Sequence, residues 1–212
     1  MKRRISCVLA VSILAALSTD AIANADIDVL SWRWYRDDLG YYVAVGEIEN
    51  VGDSNAEFIM LTGTWYSGAG SVVGTSFTFS MLDVIRPGEK SPFKIYLTDS
   101  TGDPERAKLQ WSWEETNGQP GRDVRVRDIS GSYDSSLGCF TVIGEVENLG
   151  LRPVEFVMVI ITGYDAEGEV VAADFAFSTL ERVAAQGTSP FKAYVCDRAS
   201  EIERYRYIVQ YE

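Results

Sequence analysis

The chain carries an internal repeat, and this repeat restricts its fold more than any other feature. Residues 39–114 align without a gap to residues 137–212, at a constant offset of 98 residues. About 28 of the 76 aligned positions are identical, which is far more than chance produces. The chain is therefore expected to contain two copies of one structural module.

Short polar signatures return at the same places in both copies. Gly46-Glu47 and Asn50-x-Gly52 in the first copy become Gly144-Glu145 and Asn148-x-Gly150 in the second. Asparagine and glycine are the residues that most readily adopt positive φ. We therefore expect a turn with positive φ directly after a strand in each copy.

The apolar residues that the copies share are spaced by two, as in β-strands. Four of them fall on one strand face because even spacing places side chains on the same side: Phe58, Met60, Thr64 and Tyr66, matched by Phe156, Met158, Thr162 and Tyr164. The residues between them include further apolar side chains, which predicts a central strand that is buried on both faces. Phe77 and Phe79, matched by Phe175 and Phe177, share a strand face in the same way.

Each copy reads as about six strands joined by turns, with no competing helical period. Short strands at this spacing in about 90 residues are typical of immunoglobulin-like β-sandwiches. The sequence predicts an all-β protein with two tandem immunoglobulin-like β-sandwich domains, residues 26–114 and 122–212. The polar, turn-rich stretch 115–121 is expected to be the linker. A fused sheet of double length is the alternative.

The N-terminus has the composition of a secretory signal peptide. Three basic residues precede an apolar run at 5–17, and the small-x-small triplet Ala23-Asn24-Ala25 follows. The run is too short to span a bilayer, and no later stretch approaches the ~20 apolar residues that a membrane helix needs. We expect residues 1–25 to be removed and the mature chain to be periplasmic or secreted, without membrane insertion. A retained N-terminal anchor is the alternative.

Charge and composition exclude several classes of function. Without Lys2, Arg3, Arg4 and Asp20, the chain has 16 basic and 30 acidic residues, a net charge of −14. Such a chain is repelled by nucleic acid. It contains no histidine, which excludes Ser-His-Asp and Cys-His catalysis in their usual forms and His-ligated zinc.

Carboxylates cluster at three places, without the spacing of a calcium-binding loop: Asp37-Asp38, Asp99 with Asp103, and Glu114-Glu115. We interpret them as solvated loop charge. No catalytic residue, metal site or cofactor is predicted.

The shared segments resemble the FxLYD-type domain family. The resemblance covers roughly residues 39–99 and 137–197, and the second copy carries its clearer form: Gly144-Glu145, Asn148, Gly150, Tyr164-Asp165, Gly168 and Val170-Val171. The first copy departs from the pattern at Ser67, and the second lacks the turn Pro87-Gly88-Glu89. The resemblance implies small immunoglobulin-like β-sandwiches in an exported protein. It implies no catalytic residues.

The second copy has the only two cysteines outside the signal peptide. Cys139 and Cys196 occupy the positions of Tyr41 and Thr98 in the first copy, so both are replaced together, as a bonded pair would be. In an oxidising compartment we predict a disulfide between them. A reactive thiol pair is the alternative, and it requires an activating neighbour.

All five tryptophans lie in the first copy. Trp32 and Trp34 share one strand face by their spacing, and so do Trp111 and Trp113. If the first and last strands of the copy lie side by side, these four indoles form a candidate binding platform for a sugar or a protein. The alternative is a role in the core or at the domain junction.

The function predicted from the sequence is that of a non-catalytic exported module. Its partner is expected to be another envelope protein or an extracellular polymer, contacted through loops or edge strands. A structural spacer in a larger envelope assembly is the alternative, and an enzyme is the third reading. The oligomeric state is left open by the sequence.

Overall fold

The computed structural model describes residues 24–212, and this part of the chain is all-β, as the sequence predicts. Its only helical segment is a 3₁₀ turn at Ala199–Glu201. The strands of the first repeat are β1 (Ile27–Arg36), β2 (Tyr42–Asn50), β3 (Asn55–Tyr66), β4 (Val72–Phe79), β5 (Val84–Ile85), β6 (Lys90–Leu97) and β7 (Arg106–Thr116). Those of the second are β8 (Val124–Asp134), β9 (Cys139–Asn148), β10 (Val154–Glu155), β11 (Met158–Tyr164), β12 (Val170–Phe177), β13 (Arg182–Val183), β14 (Thr188–Val195) and β15 (Arg204–Gln210).

Each repeat forms two antiparallel sheets with a core between them. In the first repeat, β1-β2-β6 form one sheet, and β3 pairs with β4, β5 and β7 in the other. In the second, β8-β9-β14 form one sheet and β12-β11-β15 the other, with β10 paired to β13. The two cores are largely separate clusters of buried residues, so the repeats are two β-sandwiches. Strand β7 continues through Thr116, and the irregular connection covers 117–123.

The repeated Gly-Glu and Pro-Phe segments are linked by packing. Strand β2 pairs with β6, which brings Phe93 beside Gly46, and a Cβ at Gly46 would lie 2.6 Å from the Phe93 ring. The same overlap recurs between Gly144 and Phe191, at 2.9 Å. A glycine is needed in each repeat because the buried phenylalanine lies directly over the backbone.

The Asn-x-Gly turns are closed by the asparagine side chain, and the expectation of positive φ at their glycines is wrong. Asn50 is fully buried, donates through Nδ2 to the carbonyls of Ser54 and Ile85, and accepts from the Gly52 amide. Gly52 is required for another reason, since a Cβ there would lie 2.5 Å from the backbone nitrogen of Asp26. Asn148 repeats this Asx arrangement in the second copy.

The predicted signal peptide, residues 1–25, lies outside the described residues except at its last two positions. Ala25 is buried in the first core, its amide donates to Glu115 Oε1, and its carbonyl accepts from the Trp113 indole. Among residues 24–212, no helix is both long and apolar enough to cross a bilayer.

Candidate binding surfaces

The four tryptophans of the predicted platform lie on two strands that belong to different sheets. Trp32 and Trp34 are on β1, at the edge of one sheet, and Trp111 and Trp113 are on β7, at the edge of the other. The Trp111 indole donates to the Ile27 carbonyl at 2.8 Å, and the Trp113 indole donates to the Ala25 carbonyl at 3.3 Å. The β7 indoles therefore tie the two sheet edges together on one side of the sandwich.

Two of these tryptophans line an open groove between β1 and β7. Trp32, Trp111 and Tyr66 supply its aromatic surface, and its volume is about 590 Å³. Trp34 and Trp113 lie outside this lining, and both pack against the core, as Trp32 also does. The platform of four indoles stays a prediction, and its accessible part is the Trp32–Trp111 groove.

Cys139 and Cys196 form the predicted disulfide. It joins the first residue of β9 to the residue that follows β14, so it closes the end of the β8-β9-β14 sheet. The first repeat has Tyr41 and Thr98 at these positions and no covalent link there.

Among the described residues of the carboxylate clusters, only Asp37 accepts hydrogen bonds within its own loop, and the interpretation as loop charge is wrong for Glu114 and Glu115, which lie in β7. Asp37 accepts from the amides of Leu39 and Tyr41, and Asp103 accepts from the Tyr42 hydroxyl at 2.6 Å. Within residues 24–212, no group of three or more potential metal-ligating side chains converges on one point.

Each repeat exposes the same three phenylalanines, which we call the phenylalanine patches. Their exposed fractions lie between 44% and 62%. The first patch is formed by Phe58, Phe77 and Phe79, and the second by Phe156, Phe175 and Phe177. In each patch the last two rings contact edge-to-face, with centroids 6.4 Å apart in the first repeat and 5.7 Å in the second.

One residue of each patch has a strained backbone. Phe58 and Phe156 both have φ of 49°, in the left-handed region that side chains with a Cβ rarely adopt. At Phe58 the register of β3 shifts between Glu57 and Met60, so the phenylalanine sits in a β-bulge. Bulges redirect side chains, and residues held in such conformations cost about 1–3 kcal/mol. Both repeats therefore have a strained backbone at the phenylalanine whose ring is exposed, Phe58 or Phe156.

A cavity of about 480 Å³ lies beside the first patch. Phe58 and Phe79 form part of its wall, and Ile59, Leu82 and Val84 are its other apolar lining residues. It is a shallow apolar site beside two exposed rings, of a size that admits an apolar side chain of a partner.

The two repeats contact each other through one face of each, which we call the junction. A buried carboxylate lies within it: Glu47 of β2 is 4% exposed and accepts from the Tyr164 hydroxyl at 2.6 Å and from Arg206 Nη1 at 3.3 Å. Burial, followed by the hydrogen bond to Glu47, raises the pKa of Tyr164 above the ordinary value for tyrosine. Because both donors come from the second repeat, Glu47 joins the two sandwiches.

Lys94 makes a second polar link across the junction. Its side chain is 8% exposed, and Nζ lies 3.1 Å from Asp174 Oδ2 and 3.1 Å from Asp197 Oδ2. Burial acts to lower the pKa of Lys94, but the neighbouring Asp174, Tyr96 and Asp197 outweigh it and raise the pKa above that of free lysine. The lysine therefore stays charged between two carboxylates of the other repeat.

The apolar centre of the junction is a small cluster of its own. Val45 of the first repeat packs with Val170 and Ala173 of the second, and all three are buried. At one rim, Arg33 Nη2 lies 2.7 Å from Asp165 Oδ2. The second phenylalanine patch stays about half exposed although β12 also contributes to this junction, so the patch lies outside the contact.

No protein-family model and no curated protein matches the chain. The assignment of function therefore depends on the geometry of these surfaces.

The phenylalanine patches and the junction are the features that sequence reasoning missed. The period of two correctly places Phe77 and Phe79 on one face, but it predicts burial for the face of β3 that carries Met60 and Tyr66, and this face is only partly covered. A signal was available in the repeat itself, since all three phenylalanines of each patch recur at equivalent positions. Recurrence alone does not distinguish a residue that both cores need from a residue that both surfaces need.

Proposed function

We propose that this protein is a non-catalytic binding module of the cell envelope, and that its phenylalanine patches hold an apolar segment of another envelope polypeptide. The observation that carries the proposal is the left-handed phenylalanine exposed in both repeats, at Phe58 and Phe156. A strained position that serves only the fold would be served better by glycine, which adopts positive φ at no steric cost. Phenylalanine at this position suits contact with a partner.

The chemistry of the patches favours a polypeptide partner. Aromatic rings in shallow apolar sites are typical anchors of protein interfaces. The patch in the first repeat combines exposed rings with the adjacent cavity lined by Leu82 and Val84. A charged polymer would find little there to pair with, because Glu57 and Asp83 are the only charged residues that line this cavity.

Export is supported by the disulfide and by the composition of the N-terminus. Disulfides such as Cys139–Cys196 persist in oxidising compartments, which include the periplasm and the extracellular space. The resemblance to FxLYD-type domains agrees with this location and remains part of the proposal. The absence of histidine removes the base of the common Ser-His and Cys-His sites, which supports a non-catalytic role.

Site-specific photocrosslinking in the cells that make the protein tests the proposal. A benzophenone amino acid replaces Phe79 in one variant and Leu151, an exposed loop residue outside the patches, in the control. We expect a discrete adduct with a different polypeptide from position 79 and none from position 151. No adduct, equal adducts at both positions, or adducts only with the protein itself would each overturn the proposal.

The substitution Phe58→Gly separates binding from folding. Glycine relieves the left-handed strain, so the free energy of unfolding is expected to stay the same or to rise by up to about 1 kcal/mol. The crosslink from position 79 is expected to weaken at least several-fold because a ring of the patch is lost. A clear loss of stability would show that Phe58 serves the fold instead.

A structural spacer is the second candidate function, and the buried junction favours it. A junction with a buried carboxylate and a buried lysine sets a fixed angle between the sandwiches, as a spacer requires. In that case the protein co-purifies with a stable multi-protein assembly, and the Phe58→Gly substitution leaves this assembly intact.

A further inference from the structure

Each repeat has two outer sheet faces, and the junction uses only one face of each. We call the outer face of β1-β2-β6 the glutamate face of the first repeat, because it carries Glu47. The equivalent outer face of β8-β9-β14, which carries Glu145, is the glutamate face of the second repeat. We call the outer face of β11-β12-β15 the tyrosine face of the second repeat, because it carries Tyr164. The equivalent outer face of β3-β4-β7, which carries Tyr66, is the tyrosine face of the first repeat. The junction joins the glutamate face of the first repeat to the tyrosine face of the second.

The remaining glutamate face, in the second repeat, keeps the residues that form the junction. Four positions match by the 98-residue offset: Val45, Glu47, Lys94 and Tyr96 correspond to Ile143, Glu145, Lys192 and Tyr194. Val45 is fully buried by the other repeat, whereas Ile143 is 47% exposed. This face therefore presents an apolar residue, a carboxylate and an ammonium group at the junction positions, and about half of the Ile143 surface is exposed.

The remaining tyrosine face, in the first repeat, keeps the complementary residues. Three positions match: Tyr164, Val170 and Arg206 correspond to Tyr66, Val72 and Lys108. Val170 is buried in the junction, whereas Val72 is 55% exposed. Lys108 Nζ lies 5.8 Å from the centre of the Tyr66 ring, so a cation and a tyrosine are already side by side, as they are around Glu47.

One ion pair of the junction is absent from both free faces, whereas Arg127, which pairs with Glu145 as Ser31 pairs with Glu47, adds a cation to the free glutamate face. Asp165, which pairs with Arg33, is replaced by Ser67 in the first repeat. Arg33 is the strand partner of Val45, and Ser130 is the strand partner of Ile143, the residue equivalent to Val45. The position of Arg33 is therefore also occupied by serine on the free glutamate face. An ion pair whose two members are both missing leaves no unpaired charge, and this pattern keeps the two faces compatible.

We propose that copies of this chain associate head to tail, with the glutamate face of the second repeat of one copy docked on the tyrosine face of the first repeat of the next. Glu145 then accepts hydrogen bonds from Tyr66 and Lys108 of the neighbour, and Ile143 packs on its Val72. The contact is heterologous, so it builds rings if the rotation closes and open chains if it does not. Phe77 lies beside Thr62 on the same sheet face, but its equivalent Phe175 stays 44% exposed in the junction, so the contact between copies does not require the patches to be covered and does not depend on the proposed function.

The contact between copies is expected to be weaker than the junction. Threonine and glutamine, at Thr62 and Gln110, replace Ile160 and Ile208 of the junction, so less apolar area is buried. A short linker also gives the tethered repeats an effective concentration of order mM, which separate copies lack. Association therefore needs to be examined up to about 1 mM protein.

Sedimentation velocity of the whole exported chain tests the proposal. The concentration series is run at about 0.15 M salt, where screening reduces the repulsion between acidic copies. We expect the wild type to shift from monomer to larger species with increasing concentration. Ile143→Arg and Val72→Arg each block one face and are expected to be monomeric. Leu151→Arg, at an exposed residue outside both faces, is the matched control and should behave as the wild type.

Mixing the two blocked variants decides the geometry of the contact. The Ile143→Arg variant retains its tyrosine face and the Val72→Arg variant retains its glutamate face, so a 1:1 mixture should form dimers and nothing larger. A symmetric contact would instead leave one of the variants able to dimerise alone. Monomeric wild type across the whole series, or a mixture that stays monomeric while the wild type associates, would overturn the proposal.

Folding of the variants is checked by their thermal midpoints, which should equal that of the wild type because both substituted side chains are exposed. If an arginine variant is destabilised, Ile143→Ser and Val72→Ser replace it, with the same expected pattern and a smaller loss of association. Failure of this experiment leaves the crosslink from position 79 unaffected, so the two proposals fail separately.

Discussion

Glu47 and Glu145 occupy the same position in the two repeats but have different surroundings. Glu47 is buried and accepts from Tyr164 and Arg206 of the other repeat. Glu145 lies on an open face and pairs with Arg127 of its own repeat at 2.9 Å. The local strand pairing is the same in both, so the difference comes from what packs on the sheet. One sequence motif thus serves a domain junction in one place and a free surface in the other.

Lys94 and Lys192 show the same contrast. Lys94 is held between Asp174 and Asp197 across the junction, whereas Lys192 is exposed and lies 4.9 Å from the ring centre of Tyr194. The two lysines also follow the same Ser-Pro-Phe segment. Repeat-matched substitutions therefore separate the contribution of the module from that of the junction.

Removal of the disulfide of the second repeat is expected to have the largest effect on the free energy of unfolding. Replacing Cys139 and Cys196 together by serine opens a link across 57 residues of sequence. We expect the free energy of unfolding to fall by about 4 kcal/mol in the chain-entropy model. Urea denaturation of the variant measures this loss, and the wild type in reductant should match the variant. Serine at Tyr41 and Thr98 is the matched change in the first repeat, and a loss as large there would contradict the comparison.

Lys94→Met is expected to cost about 2–3 kcal/mol, because Asp174 and Asp197 are left facing each other without a cation. Lys192→Met should cost no more than about 0.5 kcal/mol, as an exposed charge does. Urea denaturation of the two variants under identical conditions gives the difference. Equal effects would mean that the junction does not depend on the buried lysine.

Glu47→Ala is expected to cost about 2 kcal/mol, since it removes the acceptor of the Tyr164 hydroxyl inside the junction. Glu145→Ala should stay within about 0.5 kcal/mol, because Arg127 can return to water. Glu47→Gln keeps an oxygen acceptor and should fall between the two. The same denaturation experiment checks all three, and a neutral Glu47→Ala would show that the carboxylate does not hold the repeats together.

Alkaline pH is expected to weaken the junction. Burial raises the pKa of Tyr35, with a further contribution from Asp197, and the pKa values of Tyr164 and Lys94 are raised as well. The folded chain keeps protons that the unfolded chain releases near pH 10, so the free energy of unfolding falls as pH rises above about 10. Below that pH the contribution is fully present.

Urea denaturation at pH 8, 10 and 11 measures the decrease in the free energy of unfolding. The decrease should be smaller for Tyr164→Phe, because phenylalanine has no hydroxyl proton to release on unfolding. The control is Leu151→Ala, at an exposed loop residue outside the junction, which should leave the pH dependence unchanged. Stability that is constant or increases above pH 10 would contradict the expected linkage.

The N-terminus offers a further check on the sequence-based boundary. Ala25 is buried and bonded to Glu115 and Trp113, and cleavage after Ala25 would remove these contacts. The small-x-small triplet Ala21-Ile22-Ala23 lies just upstream, and a cut after it retains them. We predict that cleavage falls after Ala23 rather than after Ala25, which makes Asn24 the first residue of the processed chain. The intact mass of the protein purified from its native cells distinguishes the two sites.

Much of the fold follows from the sequence because its determinants are local or repeated. The period of two defines the strands, and the repeat defines the tandem sandwiches. The pairing of Cys139 with Cys196 follows from their joint absence in the first repeat. The candidate surfaces were less predictable, since alternation in a strand shows which side chains share a face but not whether another layer covers that face. Phe77 and Phe79 illustrate this: their spacing is the same as that of core residues, but no other layer of residues 24–212 covers their face and both are exposed.

The sequence by itself determined the module: its strands, the positions of its turns and the cysteines available for the disulfide. The structure showed that the turns are closed by Asn50 and Asn148 and that Gly46 and Gly144 admit Phe93 and Phe191. Only the tertiary structure decided which copy of each shared residue is buried. Glu47 and Val45 are covered because the second repeat packs on their sheet, while Glu145 and Ile143 remain open. The physical reason is that burial depends on contacts between elements distant in the chain, and these contacts act on whole faces rather than on single motifs.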